Sequence, residues 1–144
     1  MMLRFVFDCE TNGLLHELDT VHSLVLRDID SGDVTSCSDH DGYESIANGL
    51  YMLSKADVLV GHNVINFDCR ALKKVYKSFK LKKNCKIYDT LIVSRVLWPE
   101  LEPVDHQKFS HIPRKYIGKH SLGAWGERLN VKRINFEGAD KYEE

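Results

Sequence analysis

The sequence predicts an α/β domain on one mixed sheet, antiparallel at first and then parallel by crossover. Two observations predict it. Strand-like runs open the chain at Leu3–Phe7, Val21–Ile29 and Val34–Cys37, and from Tyr43 onward short apolar runs alternate with segments of helical spacing. Between the second and third runs, Asp30-Ser31-Gly32-Asp33 has the chemistry of a hairpin turn.

Each element has its own signal. Leu3–Phe7 reads as a buried strand that drives into Asp8 and Glu10 and stops at Asn12-Gly13. A polar loop at Ser38–Gly42 precedes a helix over Tyr43–Lys55, where Ile46, Leu50 and Leu53 share a face. Val58-Leu59-Val60 is a short continuous apolar run, as expected of a strand buried on both faces. Phe67–Phe79 again has helical spacing, through Leu72, Val75, Tyr76 and Phe79. Cys85–Tyr88 reads as a strand, and Asp89 as the N-cap of a helix through Val96 or Leu97. Pro99 stops that helix. A basic loop of roughly twenty residues follows, long for a compact domain. Ser121 then caps a helix through Leu129.

At 144 residues the chain is expected to form a single domain, residues 1–144, with no room for a second catalytic domain. Lys and Arg number 20 against 21 Asp and Glu, so overall charge points to neither a nucleic-acid nor a membrane partner. No apolar run is long enough to span a membrane, and Met1–Arg4 leads into a strand rather than a signal peptide. Cys9, Cys37, Cys69 and Cys85 form no Cys-x-x-Cys pair, and the histidines have no zinc spacing. Free thiols and a cytoplasmic location are expected.

Asp8 and Glu10 are two residues apart, so on an extended backbone their side chains point the same way. Two adjacent carboxylates repel, and either one takes up a proton or both hold a cation such as Mg²⁺. A solvated strand end before an Asn-Gly turn explains the same acids. A buried strand ending in acids is also where open α/β sheets place ligand sites. The second constellation is Gly61-His62-Asn63-Val64-Ile65-Asn66-Phe67-Asp68, at the end of another buried strand. Asp68 falls at a helix start, where the dipole favours an anion, and capping explains it equally well. His62 alone reads as a hydrogen-bonded loop residue.

"FDCETNGLL" and "GHNVINFDCRAL" resemble the first two motifs of the DEDD, or DnaQ-like, superfamily of 3′→5′ exonucleases. "DTVHSLVLRDIDSG", "IYDTLIVSRVLWP" and "GKHSLGAWGERLN" are similar to the proofreading exonuclease domain of phage-type family A DNA polymerases. The resemblance runs from Leu3 to about Tyr142 and implies a ribonuclease H-like mixed sheet flanked by helices.

The resemblance implies hydrolysis of phosphodiester bonds at a single-stranded DNA 3′ end by two divalent ions, Mg²⁺ or Mn²⁺, roughly 4 Å apart. Asp8 would bridge both ions, Glu10 would hold the tighter one and position the water, and Asp68 would complete the second site. Thr11 and Leu14 would contact the terminal nucleotide, Leu14 by packing on its base; Leu14 also fits a core position. Asn63 and Phe67 would shape the cleft. Asp89 fits a cleft-facing acid less well than a cap, and Trp125 reads as core. Lys108–His120 fits either a phosphate track or a solvated loop.

The family's fourth acid sits in a third motif, Tyr-x-x-x-Asp, soon after a segment resembling "RINFEGADKYEE". The chain is expected to be C-terminally truncated before it: Tyr142 has only two residues after it, and Asp140 lies in the approach segment. A polymerase domain or a C-terminal fragment supplying the missing helix is then an expected partner. The other reading is a catalytically inactive nucleic-acid-binding or protein-interaction module on the same fold. An RNA exonuclease is a third, which the polymerase-type segments disfavour.

Overall fold

Strict alternation in the first strand decides how the sheet is buried. In β1 (Arg4–Thr11) the side chains of Phe5, Phe7 and Cys9 are buried, while Val6, Asp8 and Glu10 on the other face are exposed. The computed structural model describes residues 1–131. They fall into two compact units, Met1–Val93 and a second that starts at Ser94.

In the first unit β1 pairs antiparallel with β2 (Val21–Asp28), and β2 with β3 (Val34–Ser38). On its other side β1 runs parallel to β4 (Val58–Gly61), which pairs parallel with β5 (Lys86–Asp89). The sheet order is β3-β2-β1-β4-β5, the predicted mixed sheet. Both parallel steps pass through a helix, α1 (Ile46–Lys55) before β4 and α2 (Asp68–Val75) before β5. The core lies on one face, where Phe5, Phe7, Leu24, Leu26 and Leu59 meet Ile46 and Leu53 of α1 and Leu72 of α2.

That packing is close because α1 carries glycine where it meets the strands. A Cβ built on Gly49 would lie 2.8 Å from both Cys37 Sγ and Leu24 Cδ2. Adding even one methyl there would force the neighbours aside.

Several expected bounds shift. β1 runs past the expected Leu3–Phe7 through the acids to Thr11, just before the expected stop at Asn12-Gly13. β1 is buried on one face only, and the expected burial of β4 on both faces does not hold: Leu59 is fully buried, but Val58 and Val60 are half-buried. α1 starts at Ile46, because the Ser45 side chain accepts the Asn48 N–H as an N-cap. α2 ends at Val75, four residues short of the expected Phe79.

α3 (Thr90–Leu97) carries the chain into the second unit. The largest difference lies there. The expected long loop after Pro99 contains α4 (Leu101–Lys108) and a 3₁₀ turn at Arg114–Tyr116. Pro103 does not break α4, because a residue in the first helical turn has no intrahelical N–H bond to lose. Leu101 and Asp105 are the buried residues of α4.

Asp105 pairs with Arg128 of α5 (Leu122–Arg128) through two bonds of 2.7 and 2.8 Å, both side chains being 1% exposed. Arg128 also donates to the Lys119 carbonyl, and Asp105 accepts the Gly118 N–H, so the pair staples the intervening loop. Ser121 caps α5 as predicted, accepting from the Ala124 N–H. Trp125 packs against Trp98 with ring centres 5.2 Å apart and donates its Nε1–H to Ser94.

Candidate active site

The acids stand where β1 meets its most irregular neighbour contact. Asp8 and Glu10 share the open face, opposite Val25 and Ser23 of β2, and the register with β2 slips between Glu10 and Thr11. Such an irregularity twists the strand and re-aims the side chains around it.

Asp68 reaches this place through the backbone. It is the first residue of α2 and is 3% exposed, and its Oδ1 accepts the Cys9 N–H at 2.9 Å. Cys9 lies between Asp8 and Glu10, so the third acid is fastened to the peptide that separates the first two.

The turn from β4 to α2 is shaped to deliver Asp68. A Cβ on Gly61 would come within 2.1 Å of Val64 Cγ1 and 2.8 Å of the Phe7 carbonyl oxygen, so only glycine fits beside β1. Asn63 follows in the left-handed region, with φ 65°, a conformation that Asn tolerates better than most residues. Asp89 holds the turn from beneath. Its Oδ1 accepts the N–H groups of Asn63 (2.9 Å) and Leu91 (3.0 Å), and its Oδ2 accepts that of Ile65 (3.0 Å). The same carboxylate therefore caps α3 and fixes the loop before Asp68. Thr90 adds a bond to the Gly61 carbonyl and another to His62 Nδ1.

The three carboxylates lie near enough for Asp68 and Glu10 to act on Asp8. The Asp8 carboxyl is pushed up to about 6, first by loss of surrounding water and then by the nearby charges of Asp68 and Glu10. Burial, with the Asp68 charge behind it, also pushes the Cys9 thiol upward, so Cys9 stays protonated. An all-carboxylate oxygen donor set under mutual repulsion fits a hard divalent cation. Among the described residues, no three His, Cys, Asp or Glu side chains are already set around one point as a metal site.

The other expected residues take distinct positions. Thr11 donates its hydroxyl to the Gly13 carbonyl at 2.9 Å. Leu14 is 63% exposed, so a core role does not hold for it. Phe67 is half-buried against the core at the N-cap position of α2. Lys108–His120 lies in the second unit, where Lys115 sits over its neighbour Tyr116. Asp140 and Tyr142 lie outside the described residues.

Two supports escaped the sequence reading. Lys74 Nζ donates to the carbonyls of Leu15 (3.0 Å) and His16 (3.1 Å), tying the Leu14 turn to α2. Asn12 accepts the N–H groups of Asp19 and Thr20 and donates to the Asp19 carboxylate, closing the same loop. Asn12 had a local signal in its Asn-Gly pair. Lys74 had none, since its partners are backbone atoms 58 and 59 residues away.

No family model matches the chain. Among curated proteins it is similar to a DNA-directed DNA polymerase of Escherichia phage T7, with 31% identity over 92% of the chain. A DNA-directed DNA polymerase of Enterobacteria phage T3 is 32% identical, also over 92% of the chain. The chain spans 20% of the length of each. Among solved structures, Escherichia coli exonuclease I in complex with a dT13 oligonucleotide superposes with a TM-score of 0.64 at 15% identity. That match covers 97% of this chain and 38% of the other. NrnC of Brucella melitensis, bound to pGG, gives 0.58 at 18% identity, over 97% and 58% of the two chains. These structural matches show a shared fold.

Proposed function

We propose that this chain, a DEDD (DnaQ-like) exonuclease relative of the phage DNA polymerases, is a 3′→5′ exonuclease domain acting on single-stranded DNA ends. One observation carries the reading: the 2.9 Å bond from the Cys9 N–H to Asp68, which joins three carboxylates from two distant segments. A core needs no such gathering of like charge, which adds to burial in raising the proton affinity of Asp8.

Asp8, Glu10 and Asp68 would hold Mg²⁺ or Mn²⁺. Divalent ions bound there would activate a water and stabilise the departing 3′ oxygen. Glu10 accepts a hydrogen bond from the attacking water and aims it. Asp68 has one oxygen committed to the Cys9 N–H. The Thr11 hydroxyl spends its proton on Gly13, so its oxygen is an acceptor for the terminal 3′-OH. Leu14 offers an exposed apolar surface to the last base, and Asn63 and Phe67 line the path beside Asp68.

A fourth acid would come from outside the described residues, on a polymerase domain or a further segment of the same protein. As phage polymerase relatives work inside the infected cell, the host cytoplasm is the proposed location. No helix among the described residues is long and apolar enough to cross a membrane.

The test is degradation of a 5′-labelled single-stranded oligonucleotide with Mg²⁺ or Mn²⁺, beside the Asp8→Ala/Glu10→Ala variant. A ladder shortening from the 3′ end, absent in the variant, is the expected result. A folded protein that binds the strand and leaves it intact would instead support the inactive binding module.

A further inference from the structure

The sequence is nearly neutral as a whole, but its charges are not evenly spread. From Cys69 to Tyr88 there are eight Lys or Arg and no Asp or Glu. Two of these cations have partners inside the fold: Lys74 holds the Leu15 and His16 carbonyls, and Lys82 pairs with Asp57. The other six, Arg70, Lys73, Lys77, Lys80, Lys83 and Lys86, are exposed and form no ion pair among the described residues. Lysines in the last turn of α2 complement its dipole, which explains Lys73. It does not explain the cations beyond Val75.

Their place in the fold connects them to the acids. α2 starts at Asp68, and its eight residues span about 12 Å at 1.5 Å per residue. One end of the helix is thus in the carboxylate cluster, and the other opens into the lysine-rich connection to β5. Lys74 pins the Leu14 turn to that second end. The register places Lys86 beside Val58 and level with Arg4, at the end of the sheet away from the acids, so a strand running from the acids along α2 would reach the lysines several nucleotides back from its 3′ end.

We infer that the α2–β5 flank binds the phosphate backbone of single-stranded DNA on the 5′ side of the terminal nucleotide. This rests on the exonuclease reading for the strand's direction, but not for the binding itself. Spaced ammonium groups recognise repeated phosphates without reading sequence, and each phosphate neutralised releases counterions.

The experiment is fluorescence anisotropy of the full chain with a labelled thymidine homopolymer of about 15 nucleotides in EDTA, across a salt series. In the Lys77→Gln/Lys80→Gln/Lys83→Gln variant, affinity at low salt falls about tenfold and the log–log salt slope becomes shallower by about 2. The matching triple Lys→Arg variant, which keeps the charges, restores both. Wild-type affinity and slope in the Gln variant, with the fold intact by circular dichroism, would overturn the inference. So would loss of binding to an acidic polyglutamate peptide without loss of DNA binding, since the flank would then serve a protein partner. A shallower slope with no 3′ ladder in wild type would sink the exonuclease reading and leave this surface standing. A ladder with an unchanged slope would do the reverse.

Discussion

Asp8 is the residue on which charge and chemistry meet. Its carboxyl holds a proton up to about pH 6, well above an ordinary aspartate at 3.8. A raised carboxyl favours the protonated folded state, so metal-free stability is greatest below the unfolded value. It falls as pH rises from about 4 to 6 and then levels off. A divalent ion would offset both the burial and the repulsion behind that loss. Thermal unfolding should therefore show Mn²⁺ raising Tm clearly at pH 7 and little at pH 5. Equal shifts at both would mean the ion binds elsewhere. Asp89 is the other decisive side chain, since one buried carboxylate accepts three N–H groups. Asp89→Asn keeps the shape and loses one acceptor, turning an NH₂ toward the Ile65 N–H. A buried donor without a partner costs about 1–3 kcal/mol, to be read by urea denaturation. His62, one residue before this turn, has its own bond to Thr90 and is not part of that count.

Among the elements, α4 and α5 are joined by one buried ion pair, Asp105 with Arg128. Hydrogen bonding to Arg128 holds the Asp105 carboxyl below the usual carboxylate range. Arg128→Ala would strand that charge in the interior and cost about 3–5 kcal/mol. The Asp105→Leu/Arg128→Met double variant should cost clearly less, and guanidinium denaturation separates the two outcomes. This pair also shows where sequence reading stopped. Strands and hairpins were legible because alternation, Asp-Ser-Gly-Asp and Gly61 act over a few residues. α4 was not, because its few apolar residues and Pro103 look like a loop until the buried Asp105 is matched with a cation 23 residues later. The half-open face of β1 escaped for a similar reason. An apolar run reports that a strand can be buried, and only its neighbours in space decide on how many sides.

At the scale of the molecule, the candidate site was legible in type and not in assembly. The spacing of Asp8 and Glu10 fits a cation and a solvated strand end alike, and Asp68 at a helix start fits a ligand and a cap alike; only the resemblance to the exonuclease motifs joined them as one expected site. That all three converge depends on the parallel pairing of β1 with β4, which no local pattern encodes. The charge segregation of the first unit belongs to this scale too: acids gather at one end of α2, and unpaired lysines at the other.

The bond between Cys9 and Asp68 spans 59 positions of chain, and this sets a clock during synthesis. At about 5–20 residues per second, a ribosome needs roughly 3–12 seconds after Cys9 to add Asp68. During that interval the β1–β2–β3 meander can already pair, for hairpins close in about 1–10 μs. The nascent chain therefore carries its first two acids, solvated and without their third partner, until α2 has been made and docked.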